Sequence, residues 1–337
     1  MSQTNTFNKM EDFTAVLGVY KVPKLLKSAE SYRVLQKLAK SQPIPKNEGG
    51  LITWRRLAPY VRNTNGLLEG VTPAPMTPVY EFVTQAVGEW GAWIQVSDQV
   101  VDLFEDNILD EQIDELGKQA SGMKELILWG TVSGGTQVIY ANGSARTDIN
   151  TPLTTDLVME AVKVLKKNRA SLITTMIKAG PNIATEPVEP GYVAVGPIDF
   201  ERDVRELDGF VPASKYAQNG KMISEWELGK VNQVRFVLSP DFPPLLGAGS
   251  STLNGMISEG GTNVDVGQLV VFGEEFFVDA PLKGYEAVKM GYEGPKMTKA
   301  DPLGQRAFVS WKMKFAAARL NERWGVRIEA GFSDPFA

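Results

Sequence analysis

The chain has 337 residues, 43% hydrophobic and 22% charged, with a formal net charge of −5; that is enough for one large core or two modest ones, and too apolar for wholesale disorder. Cysteine and histidine are both absent, which excludes disulfides, thiolate nucleophiles, serine–histidine triads and histidine-ligated zinc or iron. Any catalysis would have to rest on carboxylates, lysine, tyrosine or an oxygen-ligated metal.

The charge is uneven. Residues 1–63 carry 11 Lys+Arg against 4 Asp+Glu, about +7, which leaves about −12 for the rest. A basic front on an acidic body suggests two surfaces with different partners, although a solvated basic helix gives the same count. The start, MSQTNTFNKMEDF, lacks the basic-then-apolar layout of a secretory signal. No apolar run is long enough to span a bilayer, so no membrane partner is expected.

Taken in chain order, residues 24–40, KLLKSAESYRVLQKLAK, place Leu25, Ala29, Tyr32, Leu35 and Ala39 at helical spacing between basic residues. The prolines that follow end this amphipathic helix. Residues 51–57, LITWRRL, read as a strand with no purely apolar face, so it fits inside no single core. A second extended run covers residues 79–96; at 18 residues it exceeds the usual strand length, and Gly88 and Gly91 are expected to bend or bulge it. Between the two lie 21 residues, 58–78, with four prolines and no period. The apolar side chains of that segment cannot offset its ordering entropy, so it needs another surface to cover it.

Residues 107–129 form the clearest helix, with Leu109, Ile113, Leu116, Ala120, Met123 and Ile127 along one face and Asp110 and Glu111 at its positive end. A strand at 138–140, an Asn142–Gly143 turn and a helix from 155 to 168 follow, the helix burying Leu157, Ala161, Val164 and Leu165. Strands at 192–195, 231–238, 269–272 and 275–279 alternate with a helix at 199–207, which indicates an α+β or mixed α/β domain. Residues 243–261 are rich in glycine and serine and read as a surface loop. Two closing strands, 306–316 and 324–330, meet at residues 321–323; in the first, Ala307, Val309, Trp311, Met313 and Phe315 alternate with Phe308, Ser310, Lys312 and Lys314.

Motifs for chemistry are scarce. Residues 247–255, GAGSSTLNG, lack both the GK[ST] ending of a phosphate loop and the GxGxxG spacing of a dinucleotide turn. Adjacent Glu274 and Glu275 point to opposite faces if extended, and Asp110 and Glu111 are explained by the helix dipole. A glycosidase-type pair from distant positions stays open at this stage. The acidic run 98–115 has no EF-hand pattern. Trp54, Trp90 and Trp93 near Arg55 and Arg56 suit either a single-strand nucleic-acid platform or aromatic contact area in a protein interface. Interface is the better reading, since no second basic groove accompanies them.

The order of local stretches carries a resemblance. PIPKNEGGLITWRRL (43–57), LLEGVTPAP (67–75), GAWIQVSDQVVDL (91–103), ELGKQASGMKELI (115–127), GTQVIYANG (135–143) and ELGKVNQVRFVLSP (227–240) together resemble the major capsid proteins of tailed bacteriophages. The likeness is to those of short-tailed phages and their relatives, and it extends over nearly the whole chain. It implies an α+β chain of the Hong Kong 97-type capsid fold: an N-terminal arm at 1–46, an extended β-hairpin loop at 47–96, a peripheral domain with a long spine helix at 97–150, an axial mixed α/β domain at 151–299, and return strands of the peripheral domain at 300–337. The segment 245–261 departs from the family pattern.

The resemblance further implies a structural protein rather than an enzyme, with no catalytic residues, cofactor or metal. Its partners would be itself, in hexamers and pentamers, together with a portal protein, a scaffolding protein, a decoration or cement protein, and double-stranded DNA at the inner surface. It would assemble in the bacterial cytoplasm and reside in the virion. A tail-tube or decoration component is the alternative. Residues and resemblance converge on one expectation: the arm and the extended loop lie across neighbouring copies, burying Trp54, Tyr60, Leu67 and Leu68 there, with Arg55 and Arg56 facing acidic surface.

Overall fold

The structure, a computed structural model, describes residues 33–47, 49–64, 66, 69, 70, 72, 74–99, 108–177, 185–216, 222–224, 226–285, 288–297 and 301–334. Leu67 and Leu68, and residues 24–32 of the expected N-terminal helix, lie outside them. What is described of that helix is one short turn, α1 (Leu35–Leu38), after which Ala39 turns extended and β1 (Lys40–Ser41) begins.

The long extended run divides at Val87, just before Gly88, into β3 (Tyr80–Ala86) and β4 (Gly88–Ser97). β3 pairs with β2 (Leu51–Leu57) as an antiparallel two-stranded ribbon, whereas β4 joins a different sheet. The ribbon's neck is closed by Val87 N–H donating to Gly50 O at 2.9 Å. Glycine at 91 is a packing requirement: a Cβ there would sit 2.7 Å from Trp311 O across the strand pair.

The spine helix, α2 (Ile108–Ser133), runs a turn further than its apolar spacing indicates. Its last carbonyls are satisfied from outside, Arg319 Nη1 donating to Thr131 O at 2.5 Å and an Arg327 guanidinium N–H to Ser133 O, which replaces the missing intrahelical partners. At 26 residues it is about 39 Å long.

Two sheets lie along it. The five-stranded sheet has β1, β12 (Phe277–Pro281), β14 (Arg306–Arg319) and β13 (Lys289–Glu293) in that order, with β4 on the other side of β14. β14 shows the expected alternation: Ala307, Val309, Trp311, Met313 and Phe315 are buried, and the last four pack with Leu116 and Ala120 of α2. Its final turn then buries Ala316 and Ala318 on the opposite face, with Ile44, Val278 and Ala280.

The eight-stranded sheet runs β5 (Val138–Tyr140), β15 (Gly325–Gly331), β11 (Val266–Phe272), β7 (Thr185–Pro197), β10 (Val234–Ser239), β9 (Glu227–Val231) and β8 (Phe210–Pro212), with β6 (Ile173–Ile177) also on β7. The sheet is mixed, β10 and β7 being parallel and β11 antiparallel to both its neighbours. One face carries α3 (Thr155–Lys167) and α4 (Glu201–Glu206), burying Val158, Ala161, Leu165, Phe200 and Val204. The other meets the C-terminal end of α2 through Leu128, Trp129 and Val132, with Leu35 of α1 and Phe242. Central strands covered on both faces are largely apolar, as in β11, where all seven residues are buried and Gln268, the one polar side chain, bonds Glu329.

Several sequence expectations change. The single strand at 231–238 is a hairpin, β9–β10, turned at Asn232 in the left-handed region (φ 52°). The strand expected at 275–279 starts at Phe277, since Glu275 sits at φ 58° in a turn. β6, β8 and the fully exposed β13 carry too little hydrophobic pattern to be read from sequence. The closing strands part company: β14 lies on the spine helix, but a 3-10 turn at Glu322–Trp324 redirects the chain so that β15 enters the eight-stranded sheet beside β11.

Candidate inter-subunit surface

The β2–β3 ribbon has two unlike faces, set by its register. Toward the body stand Ile52, Trp54 and Val83, partly buried on the Ile44, Val278, Ala280, Ala316 and Ala318 cluster. Trp54 Nε1 donates to Gln42 Oε1 at 3.0 Å, so the polar edge of the ring is met within the chain. Away from the body stand the cross-strand pairs Leu51↔Ala86, Thr53↔Thr84, Arg55↔Phe82 and Leu57↔Tyr80. Leu51 is 69% exposed and Phe82 62%. Beyond the strands, Tyr60, Val61, Met76 and Val79 are exposed as well. Large apolar side chains exposed together on one ribbon face and in the segments beyond it mark a contact site.

The two arginines differ. Arg56 Nε donates to Glu81 Oε2 at 2.8 Å across the ribbon, and that pairing holds the Glu81 carboxyl below its usual range. Arg55 lies on the outward face, its guanidinium 5.1 Å from the centre of the Tyr80 ring. A groove of about 850 Å³ runs between ribbon and body, with Trp54, Arg56 and Glu81 on one wall and Lys40, Glu275 and Glu322 on the other. The sequence reading singled out Trp54, Arg55, Arg56 and Tyr60; the structure sets Trp54 against its own body and leaves Arg55 and Tyr60 outward. It did not single out Leu51, Tyr80 and Phe82. The signal was present as apolar residues on both faces of 79–83, and it became legible once the register assigned each residue a side.

The segment leading into the ribbon is tied to the spine helix by one carboxylate. Glu125, fully buried on α2, accepts N–H bonds from Val34 (2.8 Å), Leu35 and Gln36 (3.4 Å), and one from Gln36 Nε2 (3.2 Å). Arg33 Nε adds a bond to Ser121 Oγ at 2.7 Å. Burial pushes the Glu125 carboxyl up to about 7, against the lowering effect of those backbone bonds.

The body holds other buried carboxylates, each with a structural role. Glu227 is bonded by Arg235 Nε at 2.7 Å and by Tyr216 Oη at 2.8 Å. Glu329 is bonded by Arg146 Nε at 2.7 Å; burial opposes its charge, yet the arginines outweigh it and keep the carboxyl below its usual range. Asp265 pins the glycine-rich loop, accepting from Gly247 N–H (2.6 Å) and Glu259 N–H (2.7 Å). Among the described residues no cluster of three or more acidic side chains is placed to hold a metal ion, and no helix is long and apolar enough to cross a membrane.

Comparison with known proteins fits a chain whose exposed parts are built for contact. Residues 81–328, more than half of the chain, match the sequence profile of a family described as phage capsid protein. The chain belongs to the phage capsid protein family. Solved structures agree in fold. The capsid of Ralstonia phage GP4 superposes with a TM-score of 0.67 at 12% identity, covering 95% of this chain and 96% of that one. The head structure of Helicobacter pylori bacteriophage KHP40 gives 0.64 at 11%, covering 97% and 98%, and the cyanophage Pam1 capsid 0.62 at 12%, covering 95% and 98%. No curated protein matches. The fold is therefore the Hong Kong 97 type, and this capsid protein is a structural component of the head shell of a tailed phage.

Proposed function

We propose that this major capsid protein tiles the icosahedral shell as hexamers and pentamers around double-stranded DNA, with the ribbon as the limb that each copy lays on a neighbour. The observation that carries it is the outward ribbon face, where the large apolar side chains of Leu51, Leu57, Tyr80 and Phe82 are exposed on the single chain. Covering such a face requires another molecule, and a chain that assembles with itself supplies one at every position. Tyr60 and Arg55 share that contact. Leu67 and Leu68, in the stretch between the strands, belong to it by their place in the sequence, and Trp54 and Arg56 support it from the inner face.

In this reading residues 1–46 form the arm, 47–96 the extended loop, 97–150 with 300–337 the peripheral domain and 151–299 the axial domain. A portal protein, a scaffolding protein and a cement protein are the further partners, with assembly in the host cytoplasm before DNA enters. The role is structural and uses no cofactor.

The ribbon's closed neck gives a clean test. Because Val87 N–H already meets Gly50 O at 2.9 Å, residues 51–86 can be replaced by a two-glycine link without moving β4. The expected product is a folded, soluble monomer that forms no shells in negative-stain electron microscopy. Shells of normal size and yield from that excision would defeat the reading.

A further inference from the structure

The five-stranded sheet carries a concentration of positive charge on the face turned away from α2. Lys312 and Lys314 alternate with the buried residues of β14, and β13 sets Lys289 directly opposite Lys312. Like charges at opposed positions on a sheet repel and weaken the pair. Two of the three ammonium groups, those of Lys312 and Lys314, share one carboxylate, Glu89 (2.9 Å to Lys314). Lys289 and Lys314 share one ring, Tyr285, whose centre is 4.2 Å from Lys289 Nζ and 5.6 Å from Lys314 Nζ. Two more exposed lysines stand at the same edge: Lys283, whose N–H bonds Ile44 O at 2.7 Å, and Lys46, which reaches over Gly284. Trp93, 56% exposed, lies on the same face against Phe308. Glu89 pairs Lys312 and Lys314 across the β4–β14 ladder, and one carboxylate against this many lysines leaves the face positive.

At the far end of the same sheet the sign reverses. Asp98 directly follows β4, and Glu111, Asp114 and Glu115 ride on the early turns of α2. Those turns lie toward the Arg306 end of β14, because Gln119 meets Trp311 (3.0 Å) and Lys124 lies over Phe315 further along. Asp114 and Glu115 are exposed. Eight residues of β14 separate Arg306 from Lys314, which puts the two poles about 25 Å apart.

We propose that the lysine cluster around Tyr285 docks the acidic surface formed by Asp98, Glu111, Asp114 and Glu115 of a second copy, head to tail. One rigid sheet with opposite charge at its two ends is complementary to itself by translation and rotation, not by a two-fold exchange. Contacts of that kind repeat from copy to copy and close into rings, which is what a capsomer is. The pairing rests on the shell reading above and adds which charged surfaces meet and in which sense. It also sets the order of events, since opposed charges steer encounter before apolar faces seat.

The test uses the full chain, with assembly followed by light scattering and electron microscopy. Lys289→Glu with Lys312→Glu is expected to lower the initial assembly rate by about tenfold or more, in a monomer that still shows the folded circular-dichroism spectrum. Asp114→Lys with Glu115→Lys is expected to do the same, and a chain carrying all four substitutions to regain shells. The milder Lys289→Gln, which leaves both Glu89 pairs in place, is expected to slow assembly less. Either reversal assembling normally, or the four-substitution chain doing no better than the two-substitution ones, would overturn the contact while leaving the shell reading intact. Normal shells that instead retain less DNA would overturn it by reassigning the cluster to nucleic acid. An unmodified chain that never forms shells defeats the shell reading, and the contact with it.

Discussion

Glu125 shows how much a single side chain can decide. It gathers three backbone N–H groups of residues 34–36 onto the spine helix from a fully buried position. Its carboxyl binds a proton more tightly when docked (about 7) than at its ordinary value of 4.5. The contribution of the neutral form is therefore complete below about 4.5 and is lost as the pH rises through about 7. Glu125→Gln keeps an acceptor for the backbone bonds and removes the charge. Between about pH 5 and about pH 8 the stability of the wild type relative to this variant should fall by roughly 2 to 3 kcal/mol, read from denaturant unfolding at each pH. A flat difference would mean that the carboxylate is solvated where the arm leaves the helix.

At the scale of elements, the ribbon's outward face separates assembly from folding. Phe82→Asp changes a side chain that is 62% exposed and opposite Arg55, so its effect on the unfolding free energy should stay within about 0.5 kcal/mol. Its effect on shell yield should be near-complete loss. Equal loss of both would show that Phe82 packs within its own chain. Elements with strong periodicity were legible beforehand: α2 from its four-and-three spacing, β14 from strict alternation, α3 from its buried stripe. Those that escaped had no local signal. β13 is exposed along its whole length and takes its strand form from the β14 ladder. The β9–β10 hairpin hides in a continuous apolar run whose turn depends on one asparagine in a left-handed conformation. The parting of β14 and β15 follows from Trp324, packed against both core clusters, a long-range choice that no window of sequence displays. For the candidate surface, the sequence reading named Trp54 and Arg56, which take the inner side, together with Arg55 and Tyr60, which face outward, because the side each residue takes is fixed by register and not by composition.

For the whole molecule, the charge distribution repeats at larger scale what the sheet shows at its two ends. Residues 1–63 are about +7 within a chain of net −5. If the basic front faces packaged DNA, reversing Lys9, Lys21, Lys24 and Lys27 to glutamate should leave shell geometry unchanged and reduce the DNA retained per particle. Nuclease-protected DNA measured per shell is the readout, and unchanged retention would assign those lysines to a protein partner instead. A shell lined with cations and joined by charge pairs should also assemble more slowly as salt screens the encounter.

The end of the spine helix has a mechanical meaning. Arg319 and Arg327 stand on strands of different sheets, yet both hold carbonyls in the last turn of the same helix. The two halves of the body are thereby riveted to one rod and resist bending against each other. In the shell proposed above, a subunit that meets both five-fold and six-fold surroundings would find its give elsewhere, at the neck formed by Gly50 and Val87 and in the tether that Glu125 fastens.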